Sequence, residues 1–154
     1  MSEWTSSDGP KPAEIAALNA TMGLVRAETD EAAGTATLEF EARADMCHSG
    51  GVVQGGFVTG WIDAAMAHAA MARYGAAVTP MTLEIKVSFF APVRPGRVIA
   101  EAWAERAGRK TGFYEGHLKD AAGTVLAKAS ATMLMADRAR VVAASKLAMG
   151  EQTQ

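Results

Sequence analysis

Apolar and polar residues change period in an ordered way along this chain. Ala13 to Met22 carries Ile15 and Leu18 at helical spacing and stops at Gly23, which predicts a short leading helix. From Thr35 the period drops to two, with Ala36, Leu38 and Phe40 opposing Thr37, Glu39 and Glu41, as in a half-buried strand. After a glycine-rich loop, Gly56 to Tyr74 places Val58, Ile62, Ala65, Met66 and Ala69 on one helical stripe and closes at Gly75. Period two then returns. Thr82 to Phe90 sets Leu83, Ile85, Val87 and Phe89 against Thr82, Glu84, Lys86 and Ser88, stopping at Pro92 to Gly96. Arg97 to Arg106 alternates Val98, Ala100, Ala102 and Ala104 against Arg97, Glu101 and Glu105. A turn at Gly108 to Lys110 leads into Thr111 to Asp120, where Tyr114 and Leu118 share a face. Ala121-Ala122-Gly123 closes a hairpin into Thr124 to Met135. Consecutive strands with short turns predict an antiparallel meander, and the one long helix must bury its stripe on a sheet face. The expected class is α+β, a curved antiparallel sheet around one central helix.

Composition narrows the function classes. With 154 residues, 49% of them apolar, the chain suits one domain that buries a core without staples. The expected organisation is a loose leading segment over residues 1–12, a domain over 13–136, and a tail over 137–154 that forms a short helix or stays disordered. A net charge of −2 offers no basic surface for nucleic acid, so no nucleic-acid partner is expected. The single cysteine, Cys47, excludes an intrachain disulfide and a cysteine-rich metal site. The opening residues carry acids and prolines in place of a basic, then apolar, signal segment. Asp63, His68 and Arg73 interrupt the best candidate for a membrane span. A cytoplasmic location without membrane contact is the expectation.

The stretch Ala44 to Met66 carries the candidate chemistry. It sets one carboxylate, Asp63, in an otherwise apolar helix that begins at Gly55-Gly56. A helix start presents unpaired N–H groups and the positive dipole end, suited to an oxyanion or a polarised carbonyl. A buried acid two turns on then serves as base or nucleophile.

Gln54-Gly55-Gly56, Asp63 seven residues later, and the run Thr82-Leu83-Glu84-Ile85-Lys86-Val87-Ser88-Phe89-Phe90-Ala91-Pro92 with Gly96 together resemble the hotdog-fold acyl-CoA thioesterases of the phenylacetyl-CoA thioesterase-like (PaaI-type) branch. The resemblance spans roughly Ala13 to Met135. Where that family has His before the glycine pair and Asn six residues earlier, this chain has Gln54 and His48. The resemblance implies hydrolysis of a medium-chain or aryl acyl-CoA with no cofactor and no metal. It makes Asp63 the catalytic carboxylate and gives the Gly55 N–H to the thioester carbonyl, while Gly56 keeps the approach open and Gln54 belongs to the substrate-binding set. It places His48 where a residue orients water or contacts the thioester, and brings Thr82 in from a partner subunit. It also implies a homodimer or homotetramer with the site at the subunit interface.

Other residues carry two readings. Phe57, Trp61 and Met81 line an acyl pocket or serve as core or dimer contacts. Arg94, Arg97, Arg106, Arg109 and Lys110 cluster at two turns, and the resemblance favours Arg109 and Lys110 as ligands of coenzyme A phosphates. His68 reads as structural, His117 as solvated beside Glu115 and Lys119, and Cys47 as a plain small residue. Two alternatives to the hydrolase stand: an acyl-thioester hydratase or dehydratase that pairs His48 with Asp63, and a non-catalytic acyl-CoA-binding module.

Overall fold

The computed structural model describes residues 12–148 and 150. The expected leading segment therefore lies outside the described residues apart from Pro12, which opens α1 (Pro12–Met22). β1 (Leu24–Asp30) follows at once and has no counterpart in the sequence pattern. It is a sheet edge whose residues after Leu24 are all exposed, so nothing imposes alternation on them. β2 (Thr35–Ala42) alternates as expected, burying Ala36, Leu38, Phe40 and Ala42. A 3₁₀ turn at Ala44–Met46 then leads into a two-residue ladder of β3 (Cys47–His48) and β4 (Val52–Val53). The long helix, α2 (Gly55–Tyr74), precedes β5 (Val78–Phe89), β6 (Gly96–Ala107), β7 (Thr111–Asp120), β8 (Val125–Asp137) and α3 (Arg138–Ala148). The Asp137 carboxylate accepts the Arg140 N–H at 2.9 Å, a cap that favours the helical form of the tail.

Six antiparallel strands form one sheet in the order β1-β2-β6-β7-β8-β5. The expected four-strand meander is thus corrected: only β6, β7 and β8 run that way, and β5 lies beyond β8 as the second edge. Residues 90–95 make this possible. Six extended residues reach roughly 20 Å, enough to pass the ends of two intervening strands spaced about 4.8 Å apart.

α2 covers the inner face of the sheet with Val58, Trp61, Ile62, Ala65, Met66, Ala69 and Ala70, all buried. Small residues opposite let it approach closely. A Cβ at Gly116 would lie 2.9 Å from Ile62 Cγ2 and 3.1 Å from the Glu101 carbonyl oxygen, so helix and sheet meet where β7 has no side chain. On the outer face Glu101 lies opposite His117, and its Oε2 accepts from His117 Nε2 at 2.6 Å and from Lys119 Nζ at 2.7 Å. His117 is therefore a paired residue and not a solvated one, because the β6–β7 register sets an acid directly across from it.

β5 departs most from its sequence pattern. A bulge between Thr82 and Glu84 adds one residue, Leu83, and reverses the alternation. Ile85 and Val87 stay half-buried, but Leu83 is 61% exposed and Phe89 54% exposed, against the expectation that all four share a buried face. The same reversal turns Thr82, read on the polar face, toward α2.

Candidate active site

α2 begins at Gln54, whose extended backbone and side chain cap the helix. Gln54 Oε1 accepts the Gly56 N–H at 2.9 Å and the Gln54 carbonyl accepts the Phe57 N–H at 3.0 Å. Gly56 is needed for this cap, since a Cβ there would lie 2.6 Å from Gln54 Oε1. Gly55 is needed for a different contact: its Cβ would meet the Phe89 ring at 3.3 Å. Among the described residues none accepts a hydrogen bond from the Gly55 N–H, which leaves one donor at the positive end of a 20-residue helix. Beside it opens a cleft of about 420 Å³, lined by His48, Val53, Gly55, Phe89, Pro92 and Val93 among others. His48 is exposed there, with Nδ1 2.7 Å from the Ser49 carbonyl oxygen.

Asp63 occupies a second point on the same helix. It is half-buried, less than the sequence pattern suggests, because it faces the free edge strand β5 instead of the interior. Thr82 Oγ1 donates to Asp63 Oδ1 at 2.7 Å. The resemblance brought Thr82 from a partner subunit, whereas here the chain's own Thr82 makes the contact, aimed by the β5 bulge. The second carboxylate oxygen is left for another donor.

The Gly55 N–H and Asp63 do not converge within one chain. They are eight residues apart on α2, about 12 Å along the axis at 1.5 Å per residue. His48 sits at the Gly55 end and Asp63 beside Thr82, so a His48–Asp63 pair is not formed within the chain.

The remaining candidates divide by depth. Trp61 takes the core reading: fully buried, stacked on Phe40 at 5.6 Å between ring centres, with Nε1 donating to the Met22 carbonyl at 2.8 Å. Phe57 is half-buried against it, and Met81 is 44% exposed on β5. Arg109 and Lys110 lie at the far end of α2, where the Tyr74 hydroxyl donates to the Gly108 carbonyl. Arg94 and Arg97 line a second cleft of about 400 Å³, which shares Pro92 with the Gly55 cleft. Arg97 is held by Glu39 at 2.8 Å and Glu41 at 3.4 Å, and Arg94 is exposed without a partner among the described residues. Half-buried His68 has Nδ1 2.8 Å from the Ala64 carbonyl, and Cys47 Sγ is 3.5 Å from the Arg43 carbonyl.

Residues 50–127 match the family model of the thioesterase superfamily. None of the curated proteins searched matches the chain. Among solved structures, a phenylacetic acid degradation-related protein from Ralstonia eutropha is 28% identical with a TM-score of 0.73, over 84% of this chain and 94% of that one. A point mutant of the phenylacetic acid degradation protein PaaI from Thermus thermophilus is 26% identical with a TM-score of 0.69, over 78% and 99%. A conserved protein from Pseudomonas aeruginosa is 26% identical with a TM-score of 0.71, over 78% and 94%. With half its length in the matched model, and with its long helix opening on a glycine pair, central acid and six-stranded sheet, the chain belongs to the thioesterase superfamily as a hotdog-fold protein of the PaaI type.

Proposed function

We propose that this protein is an acyl-CoA thioesterase that hydrolyses a medium-chain or aryl acyl-CoA to the free acid and coenzyme A. The observation that carries this reading is the Thr82–Asp63 hydrogen bond of 2.7 Å at the free sheet edge, on a helix whose first N–H is unpaired. The 12 Å or so between the two groups exceeds what one thioester carbonyl bridges. The site is completed by a second copy, which sets its Gly55 amide opposite this chain's Asp63. The β5 edge suits that assembly, since one side of this 12-residue strand is unpaired and Met81, Leu83 and Phe89 are exposed.

The reaction follows from these groups. Thr82 holds one Asp63 oxygen, and the other takes a proton from water as the water oxygen bonds to the thioester carbonyl carbon. The carbonyl electrons move onto oxygen, where the Gly55 N–H and the helix dipole stabilise the negative charge. The tetrahedral intermediate collapses by breaking the C–S bond, and the leaving thiolate recovers the proton from Asp63. Carboxylic acid and free coenzyme A leave, and the carboxylate is restored. His48, at the mouth of the Gly55 cleft, contacts substrate without serving as the base.

The test is thiol release from a panel of acyl-CoAs by wild type and two variants, with circular dichroism as the folding control. Asp63→Asn is expected to lower kcat by about 10²–10⁴, the range lost with a general base, and His48→Asn to remain far milder. The opposite order would move the catalytic role to His48 and favour the hydratase reading.

A further inference from the structure

Among the described residues one buried side-chain polar atom lacks a hydrogen-bond partner, the hydroxyl of Tyr114. The residue is 1% exposed on the inner face of β7. Its ring leans back over Gly112, where a Cβ would come within 2.6 Å of the ring and 3.0 Å of the hydroxyl oxygen. Burial pushes the phenol up to about 12, so it stays a neutral donor throughout the physiological range. Phenylalanine would fill the same space without an oxygen to satisfy, and an orphan polar atom in a packed core calls for an explanation.

Tyr74 and Arg73, at the end of α2, are the titratable groups that act on the hydroxyl, and the strand register shows which residues share its row. Gly112 is paired with Met133, and Met133 with Thr82. Tyr114 therefore ends in the same inward row of the sheet as the Thr82–Asp63 pair. Two strand spacings separate Gly112 from Thr82, roughly 10 Å. Between them stands Met133, fully buried, an unbranched side chain that changes rotamer readily.

We propose that Tyr114 is a specificity-determining residue whose hydroxyl bonds to an oxygen at the distal end of the acyl group, once the thioester carbonyl is seated at Asp63 and Thr82. The inference rests on the thioesterase reading and names the substrate more closely. An extended chain of roughly six to eight carbons spans the row, given about 3.3–3.6 Å for every three backbone bonds. The preferred acyl group is of that length and ends in a hydroxyl or carbonyl. Met133 turns aside to admit it, and the buried oxygen of Tyr114 gains its missing partner.

Matched substrates test this. The kcat/KM of wild type and Tyr114→Phe is measured on hexanoyl-CoA against 6-hydroxyhexanoyl-CoA, and on octanoyl-CoA against 8-hydroxyoctanoyl-CoA. Wild type is expected to favour one hydroxylated member by about tenfold, as one ordinary hydrogen bond confers, and Tyr114→Phe to lose that preference while keeping its rate on the plain substrate. The variant is also expected to melt no lower than wild type, since its hydroxyl has no partner to lose. A preference that is equal in the two proteins overturns the inference. So does a lower melting temperature with an unchanged ratio, which would assign the hydroxyl to a structural interior water. Failure of wild type to cleave any acyl-CoA would overturn the thioesterase reading with it, whereas intact hydrolysis with an unchanged ratio overturns this inference alone.

Discussion

Replacing Thr82 with valine removes one oxygen and nearly nothing else, so it isolates the contact on which the proposed site depends. Thr82 Oγ1 lies 2.7 Å from Asp63 Oδ1, the distance of a charge-assisted bond. Such bonds contribute about 1.5–3 kcal/mol net. Thr82 is exposed and Asp63 only half-buried, so water replaces part of the lost contact and the low end, about 1.5 kcal/mol, applies. At 1.36 kcal/mol per decade, Thr82→Val should lower kcat by about tenfold. Thr82→Ser keeps the hydroxyl and should stay within about threefold of wild type, the loss being rotamer freedom. KM should change little in either variant, because the contact orients the base and does not hold substrate. Valine also suits an edge strand, so the melting temperature should hold. The assay is initial-rate thiol release over a range of acyl-CoA concentrations. A Thr82→Val enzyme with kcat within twofold of wild type, or a serine variant that falls as far as the valine one, would refute the role given to this bond.

Gly116→Ala should destabilise the fold by about 1–3 kcal/mol through overpacking, since the new methyl meets Ile62 and a β6 carbonyl; unchanged denaturant unfolding would contradict the helix–sheet contact. Leu83→Lys, on the bulge of the free edge, should shift the protein toward monomer in light scattering and lower activity with it, and an active monomer would sink the two-copy site. Arg94→Ala should raise KM for acyl-CoA with kcat little altered, more than the Arg109→Ala/Lys110→Ala double variant; the reverse would place the coenzyme A phosphates at the far end of α2. Hydrogen bonds first from Lys119 and then from His117 hold the Glu101 carboxyl below its usual 4.5. The stabilisation is therefore present above that pH and lost as pH falls through the lowered value. Glu101→Gln should cost under about 1 kcal/mol near neutrality for this partly exposed pair, with the gap to wild type closing in acid. A gap that stays constant down to pH 3 would argue against it.

Where burial is one-sided and local, the residues themselves determined the outcome. The 3.6-residue stripe Val58, Ile62, Ala65, Met66 and Ala69 fixes which side of α2 meets the sheet, and Ala100, Ala102, Tyr114 and Leu118 all turn inward as their alternation requires. Gly55-Gly56 likewise marks a helix start, and Asp63 stands out as an acid among apolar neighbours, whereas the cap made by the Gln54 side chain appears only in the structure. Contacts between distant segments are a different matter, because no local pattern encodes them. β1 is a solvated edge that needs no alternation, and the placement of β5 beyond β8 depends on how far residues 90–95 reach. The pairing of His117 with Glu101 depends on strand register. The role of Thr82 shows the difference most sharply. Period two sets it on the polar face with Glu84 and Lys86, and only the single extra residue of the β5 bulge, a feature of pairing with β8, turns its hydroxyl to Asp63. The orphaned hydroxyl of Tyr114 is of the same kind, since a tyrosine on a buried face reads as core until the packing around it shows that its oxygen has no partner.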